Sequence, residues 1–496
     1  MSLASIEFAP SRAGAGSQAL VSGLILALAA TFLFALAAFA PAVLGDGDTW
    51  SHVATGEWIL AHGALPTGDP FSHSMPGAPW TAHEWLSEIL LALAFRAAGW
   101  NGVVLLTAAA TAGAALILGA RLARDLKGAA LGAMLALGVG MWTASLLARP
   151  HVLVLPLAAA WTAELFHARD RAEAPPLWLA GLMILWSNMH GGFMFGLILI
   201  APFALEAMAE APRGARLAAC ARWALFGLAA LAAALVNPYG VEALLFPFRL
   251  MSVQNLSHVS EWQPQDFGHV GPMEVGLLAL VGFALIRPIQ APPIRVALVV
   301  ALIGMALKQA RHAQLLGLIG PMALARPVAL ALGAARPSEE ERATTVRIGL
   351  VVSLVAALAL ALMRIAAPVE RVDGPGAPIS ALAAVPADLR SKPALNAYSF
   401  GGYLIYLGVR PFIDGRADMY GDALLGLYRK LAAGDPQAIE DALTRYRIAW
   451  TIFEPDTAIV AALDREPGWR RLYADRFAVV HARDGVATPK PELRGD

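Results

Sequence analysis

The sequence predicts a polytopic α-helical membrane protein that ends in a small α/β domain. Of its 496 residues, 58% are hydrophobic and only 15% are charged, whereas soluble domains average about 25% charged residues. Long apolar segments recur from Ala19 to residue 364, and the composition then becomes mixed. Because about 20 apolar residues cross the hydrocarbon core of a bilayer, residues 19–364 are predicted to form a membrane domain.

About eleven membrane spans are predicted, and the charges between them indicate their orientation. Lys and Arg are concentrated in alternate loops, beginning with the loop at 121–127. Cytoplasmic loops carry the excess of these residues, so we expect residues 1–18 to be cytoplasmic and the C-terminal region to be periplasmic, in a bacterial inner membrane. The predicted spans are 19–44, 102–120, 129–147, 152–166, 177–188, 191–208, 221–236, 273–286, 294–307, 312–334 and 346–364.

The C-terminal region is predicted to consist of a linker, 365–378, and an α/β domain, 379–496. Short apolar runs such as Ile448–Phe453 predict buried strands. The segment Pro436–Arg447 predicts an amphipathic helix, since proline is favoured at a helix start. The pattern therefore predicts a small α/β domain after the linker.

A strand is also predicted at Pro411–Ile413, followed by the turn that contains Asp414, Arg416 and Asp418. Ligand-binding residues are common at the carboxyl ends of strands in α/β sheets. On this interpretation the three side chains would help to bind an acceptor. The alternative is an ion pair of Arg416 with one of the two acids that fixes the turn.

The loop between the first two spans, 45–95, contains acids, histidines and tryptophans and no Lys or Arg. Asp48 and His52 are four residues apart, so they share one face of a predicted helix. A carboxylate beside an imidazole can orient a general base or hold a divalent cation. The alternative is that Asp48 only caps the helix and that His52 lies at the membrane interface.

A second helix is predicted in this loop, at Thr81–Leu90. Thr81 and Glu84 have the spacing of a capping box, which would give Glu84 a structural role. His83 and Glu88 would then face the candidate site.

Polar stretches interrupt several other apolar segments, and all of them are predicted to reach the outer face. Each alone is consistent with an ordinary helix break. Together they indicate a site, because ionisable groups at membrane depth are costly and usually functional. Arginine among them would suit a phosphate, which it binds through a planar fork of donors. The candidate residues are Arg149, His151, Asn188, His190, Asn237, Tyr239, Glu261, Trp262, Lys308, Arg311 and His312.

Composition also excludes several classes of function. The formal net charge is +0 and no basic tract is present, which argues against a nucleic-acid partner. A single cysteine, Cys220, excludes an internal disulfide and a cysteine metal cage.

Several motifs resemble those of a bacterial group within the GT-C superfamily of membrane glycosyltransferases. They are DGDTWSHVATGEWILAHG, LPTGDPFS and WTAHEWLSE in the first loop, and later WSNMHGGF, VNPYG and FIDGRADMYG. The resemblance implies transfer of a sugar from a polyprenyl phosphate, with a first-loop acid as base or metal ligand. It also implies two juxtamembrane helices in that loop and a periplasmic domain after the last span. The chain departs from oligosaccharyltransferases in lacking a WWDYG-type motif, which places protein N-glycosylation in doubt.

We therefore expect an inverting glycosyltransferase that uses a polyprenyl-phosphate sugar donor and a glycan, lipid or protein acceptor. Asp48, with Asp46 and His52, is the predicted catalytic group, and Asp46 and Asp48 are the predicted ligands if a divalent cation (Mg²⁺ or Mn²⁺) is used. The alternative is a non-catalytic scaffold or a transporter in surface polysaccharide assembly. A transporter is disfavoured because alternating access needs a site near the midplane. Arg149, Lys308 and Arg311 are the predicted phosphate ligands, and His83, Glu84, His151, Asn188, His190, Asn237, Tyr239, Glu261, Trp262 and His312 the predicted substrate contacts.

Overall fold

The computed structural model describes residues 12–252 and 262–485. Glu261, one of the predicted substrate contacts, lies outside the described residues. Within the described residues, fourteen α-helices make up the helical region that contains the predicted spans, which we call the membrane domain. They are α1 Arg12–Phe39, α2 Asp48–His62, α3 Trp85–Leu122, α4 Gly128–Thr143, α5 Pro150–Leu153, α6 Leu155–Asp170, α7 Ala180–Met189, α8 Phe193–Glu210, α9 Arg216–Ala234, α10 Val241–Ser252, α11 Pro272–Ile286, α12 Pro293–Lys308, α13 Ala313–Ala331 and α14 Glu339–Ala366.

A multi-pass membrane protein is confirmed. Every predicted span falls on a helix, as expected where lipid offers the backbone no hydrogen-bonding partner. In the described part of the chain, six helices are long and apolar enough to cross a membrane, and three more apolar helices are shorter. The count of eleven spans therefore stays a prediction. The six are Gly16–Phe39, Trp85–Leu122, Phe193–Glu210, Arg213–Ala234, Ala310–Ala331 and Glu339–Ala366.

The second juxtamembrane helix is continuous with the second span, as the two halves of α3. The join is a kink at Ala98 and Gly99, where Gly99 has φ +57°, a left-handed conformation that glycine adopts without steric cost. The capping-box prediction is wrong. The helix begins at Trp85, and the carbonyl of Thr81 accepts a hydrogen bond from the His83 amide at 2.8 Å, so the Glu84 carboxylate is directed elsewhere.

The predicted C-terminal α/β domain is present and has a four-stranded sheet in the order β1-β2-β4-β3. β1 is parallel to β2, whereas β4 is antiparallel to both β2 and β3. The helices are α15 Ile379–Ala383, α16 Ala387–Arg390, α17 Gly401–Tyr406, α18 Ala417–Ala432, α19 Pro436–Arg445 and α20 Ala458–Leu463, and the strands are β1 Ala394–Asn396, β2 Trp450–Phe453, β3 Trp469–Ala474 and β4 Val479–Arg483.

Pro411–Ile413 was predicted as a strand, and that prediction is wrong. The side chain of Asn396 takes the place of a neighbouring strand: its Oδ1 accepts from the Phe412 amide at 2.7 Å, and its Nδ2 donates to the Ile413 carbonyl at 2.8 Å. The buried backbone is thereby satisfied without a ladder. The turn 414–418 consequently follows an irregular segment rather than the end of a strand.

The first loop packs directly on the C-terminal domain. His73 Nε2 lies 2.7 Å from the Ala394 carbonyl, and Ser74 Oγ donates to the Phe412 carbonyl at 2.6 Å. Trp50 is buried against Tyr403 and Tyr406, with ring centroids 4.9 and 4.8 Å away. The loop and the domain thus share one apolar core.

Five charged residues lie at the helix ends that are opposite to the first loop. We call them the ion-pair belt: Arg121, Asp125, Asp170, Glu206 and Arg295. Arg121 pairs with Asp125 at 3.0 Å and with Asp170 at 3.1 Å, and Arg295 pairs with Glu206 at 2.7 Å. Arg169 of α6 lies 3.6 Å from Glu206 of α8, so the belt and this arginine connect α3, α6, α8 and α12.

Candidate functional site

Asp46 and Asp48, the acid pair, lie on either side of the Arg149 guanidinium. Arg149 Nη1 is 2.9 Å from Asp46 Oδ2, and Nη2 is 2.9 Å from Asp48 Oδ2. Asp46 Oδ1 also accepts a hydrogen bond from the Asp48 amide at 2.7 Å. Gly47 is the cap residue of α2, so the alternative in which Asp48 caps the helix is wrong: its carboxylate is directed to Arg149. Gly63 follows the end of α2 with φ +62°.

Arg149 comes from the segment just before α5, where Pro150 begins the helix. The amide of Ala148 donates to the Val43 carbonyl at 2.9 Å, which fixes this segment beside the start of the first loop. Arg149 was predicted to bind the donor phosphate. In the structure its guanidinium bridges the acid pair, and the side chain of Asp48 keeps 23% of its surface exposed, so this carboxylate is held but accessible.

A second group of side chains, the imidazole cluster, consists of His52, His83 and His190 around Glu84, with Glu88 behind them. The Nε2 atoms of His190, His83 and His52 lie 3.5, 3.8 and 3.9 Å from the Glu84 carboxylate oxygens. His52 Nδ1 is 3.2 Å from Glu88 Oε1. The four segments that meet here are α2, the turn before α3, the first turn of α3 and the end of α7.

Burial controls the protonation of this cluster. It lowers the pKa of His52, His83 and His190, and the nearby Arg149 lowers that of His52 further. Burial raises the pKa of Glu84, against the opposing effect of His52. The imidazoles are therefore neutral at pH 7 and can act as proton acceptors or hydrogen-bond partners. Among the buried side-chain atoms of the described residues, His52 Nε2 and Glu88 Oε2 have no hydrogen-bond partner.

The turn 414–418 of the C-terminal domain forms one wall of the site. Arg416 donates to Asp414 through Nε and Nη2, both at 2.7 Å, and to Asp69 of the first loop through Nη1, also at 2.7 Å. Although burial opposes ionisation, Arg416 lowers the pKa of Asp414. The alternative of an ion pair that fixes this turn is therefore what the structure contains. Burial raises the pKa of Asp418, and His83 of the imidazole cluster opposes that rise.

Most of the remaining predicted contacts occupy helix ends, where they bond to the backbone. His151 Nε2 lies 3.0 Å from the Ser145 carbonyl, and Asn188 bonds to both Trp85 and the Val236 carbonyl. Asn237 accepts from the Tyr239 amide at 2.8 Å, and burial raises the pKa of Tyr239 to about 12. These residues keep the helix ends together around the site.

The last cations and aromatic residues lie near the end of α12. Lys308 is the final residue of that helix, and the Arg311 guanidinium stacks 4.9 Å from the Trp262 ring centroid. His312 Nδ1 lies 3.3 Å from the Met305 carbonyl. Burial lowers the pKa of His190, and the positive charge of Arg311 lowers it further. Arg311 therefore interacts electrostatically with the imidazole cluster.

The acid pair does not fit the predicted divalent cation as it is arranged. Asp46 and Asp48 already hold a guanidinium between them, which supplies the positive charge that a cation would bring. Within residues 12–252 and 262–485, no three or more His, Cys, Asp or Glu side chains are grouped as metal ligands. A cation at this position would first have to displace Arg149.

Two residues at the site were not among the predicted ones. Asp69 lies in the first loop and accepts from the Phe71 and Ser72 amides at 2.9 and 3.0 Å. Gly415 faces Asp48: a Cβ atom added to it would lie 2.0 Å from Asp48 Oδ1. The Asp69-Pro-Phe-Ser sequence is typical of an Asx turn, which was the available signal for the first. For Gly415, no local pattern indicates the long-range contact.

The fold resembles those of solved structures, of which two are described. The archaeal oligosaccharyltransferase AglB from Archaeoglobus fulgidus, in complex with an inhibitory peptide and a dolichol-phosphate, is 11% identical with a TM-score of 0.55, over 95% of this chain and 75% of AglB. ArnT from Cupriavidus metallidurans in the apo state is 12% identical with a TM-score of 0.50, over 92% of this chain and 97% of ArnT. Both are GT-C membrane glycosyltransferases, so the resemblance is confirmed for the fold. No protein-family model and no curated protein sequence matches the chain.

Proposed function

We propose that this protein is a glycosyltransferase that moves a sugar from a polyprenyl-phosphate-linked donor to an acceptor hydroxyl at the periplasmic face of a bacterial inner membrane. The observation that carries the proposal is the accessible Asp48 carboxylate, held by Arg149 at 2.9 Å, at the end of a GT-C fold that carries the first loop. AglB was solved with a dolichol-phosphate, which is a lipid of the proposed donor class.

In the proposed reaction, Asp48 accepts the proton of the acceptor hydroxyl as general base. The acceptor oxygen attacks the anomeric carbon from the side opposite the phosphate and forms the new glycosidic bond. The bond from that carbon to the phosphate oxygen breaks, and the polyprenyl phosphate leaves with the electron pair. This displacement inverts the anomeric centre.

The cations around the site would hold the donor phosphate. Arg311 and Lys308 lie on either side of the short turn that follows α12. Arg149 would remain with the acid pair and orient Asp48. The imidazole cluster would contact the sugar or the acceptor through its neutral rings. A Mg²⁺ or Mn²⁺ ion has no part in any of these steps.

The test uses the purified full-length chain and a panel of synthetic farnesyl-phosphate hexoses, with a lipid and glycan extract of the host envelope as acceptor. Mass spectrometry measures the release of farnesyl phosphate and the gain of a hexose by the acceptor. Asp48→Asn should lower the rate about 10²–10⁴-fold, as the loss of a general base commonly does. Asp388→Asn, a matched change at an exposed residue of α16, should leave the rate unchanged.

The alternative of a non-catalytic scaffold or a transporter makes the opposite prediction. In a deletion strain, Asp48→Asn would then restore the surface glycans as fully as the wild-type protein, and farnesyl phosphate would not be released by either.

A further inference from the structure

Segments of the C-terminal domain approach the first loop so closely that no side chain fits between them. A Cβ on Gly415 would lie 2.0 Å from Asp48 Oδ1, and a Cβ on Gly402 would lie 2.1 Å from the Gly47 carbonyl oxygen. A Cβ on Gly47 would lie 2.1 Å from the Ser399 carbonyl oxygen. We call this contact the glycine seam (Gly47, Gly402 and Gly415). Because it excludes side chains, it allows the backbone of the domain to reach the acid pair.

Asp48 is consequently held from two sides. Its Oδ2 atom pairs with Arg149 Nη2 at 2.9 Å, and its Oδ1 atom lies against Gly415. A carboxylate fixed at both oxygens has little freedom to rotate away from a bound acceptor.

Gly415 is fixed in turn by Arg416, the residue that follows it. The Arg416 guanidinium joins Asp414, on the other side of Gly415, to Asp69 in the first loop. It also stacks on two rings of the first loop, 4.8 Å from Trp80 and 5.1 Å from Phe71. The side chain of Arg416 is 91% buried and that of Asp69 is fully buried. Because the contacts of Arg416 reach residues of both the C-terminal domain and the first loop, this clamp fixes the domain relative to the loop.

We propose that Gly415 and Arg416 are positioning residues for Asp48: Gly415 sets the position of the carboxylate, and Arg416 holds Gly415 in place. The C-terminal domain is then a wall of the catalytic pocket rather than a separate module for the acceptor. This inference rests on the proposed function, because it assigns Asp48 its task as general base. A displacement of about 1 Å at such a group can cost about 10²-fold in rate.

The test is Gly415→Ala, with Gly374→Ala as its matched control. Both glycines have ordinary φ values, but a Cβ on Gly374 meets nothing within 4 Å. Gly415→Ala should lower kcat about 10–100-fold for the farnesyl-phosphate hexose that the wild-type protein uses best, with the KM for this donor changed less than about twofold. Gly374→Ala should change neither constant.

A second measurement separates positioning from general damage to the fold. In an Asp48→Asn background, Gly415→Ala should have almost no further effect on the residual rate, because the group that it displaces has already lost its function. Arg416→Lys should give an intermediate kcat, since lysine keeps the charge but cannot form the fork of contacts to Asp414 and Asp69. If Gly415→Ala does not fold, the inference is tested by the kcat of Arg416→Lys, measured with and without Asp48→Asn.

Two outcomes would overturn this inference while the proposed function stands: an unchanged kcat for Gly415→Ala, or an equal fractional loss with and without Asp48. A wild-type protein that turns over none of the farnesyl-phosphate hexoses, or an Asp48→Asn protein with the full rate, would overturn the proposed function as well.

Discussion

The two charged regions of the membrane domain are built from different chemical groups. In the ion-pair belt, each acid meets an arginine within 3.1 Å, and arginine is a side chain that is not deprotonated in proteins. In the imidazole cluster, Glu84 meets three histidines at 3.5–3.9 Å, and burial weakens the charged form of each partner. The belt is therefore suited to a structural role, whereas the cluster contains side chains that can gain or lose a proton.

The largest effect is expected from breaking the belt. Arg295→Met would remove the closest partner of Glu206, whose side chain is 3% exposed, and leave that carboxylate only Arg169 at 3.6 Å. The loss of one partner of a buried ion pair costs up to about 3–5 kcal/mol. Thermal unfolding in detergent should show a clear loss of stability, with the rate per folded molecule unchanged. Arg171→Met, at an exposed ion pair, is the control. An Arg295→Met protein as stable as the wild type would contradict the structural role of the belt.

The next effect concerns Arg149, which belongs to the other region. Arg149→Gln removes the cation between Asp46 and Asp48 and leaves Asp48 without its orienting partner. We expect the transfer rate to fall at least about tenfold, since oriented catalytic groups contribute that much or more. Stability should change far less than for Arg295→Met, because these side chains are about 20% exposed and partly solvated. A large loss of stability with an unchanged transfer rate would show that Arg149 has a structural role.

A smaller effect is expected from pH. The pKa of each of the three cluster histidines is lowered by burial, so below about pH 6.5 the unfolded chain binds more protons than the folded one. Stability should therefore be lost as the pH falls from about 6.5 through the lower folded values. The raised pKa of Glu84 acts in the opposite direction, because the folded state then binds the extra proton.

The measurement is Tm between pH 5 and 8 for the wild type and for His190→Asn. The variant should show a shallower fall in Tm on acidification, by a few degrees, while Arg171→Met, at an exposed ion pair, should keep the wild-type slope. Identical slopes in His190→Asn and the wild type would show that the cluster does not titrate as described.

The last prediction leaves the fold unchanged and determines on which side of the membrane each region lies. A reporter that is active only in the periplasm should be active after Asp496 and silent near Arg171, because Lys and Arg are enriched in cytoplasmic loops. Activity at Arg171 would place the belt, rather than the acid pair, outside.

The sequence was sufficient for features that depend on neighbouring residues. Apolar length predicted the spans, and the helix on which Asp48 and His52 share one face is α2. The contacts that build the site were beyond such reasoning, since Arg149 meets Asp46 across 103 positions and Arg416 meets Asp69 across 347. Glu84 illustrates the limit. Its spacing from Thr81 matches a capping box, yet burial beside three histidines directs the carboxylate to them.

The clamp between Asp69 and Arg416 also sets the order of events during synthesis. The two residues are 347 positions apart, and chains grow at about 5–20 residues per second, so the first loop emerges roughly 17–70 s before its partner. During that interval the aromatic rings of the loop, Phe71 and Trp80 among them, have none of the domain surface that later covers them. Assembly of the catalytic pocket is therefore a late step, which is completed only once the C-terminal domain has been synthesised.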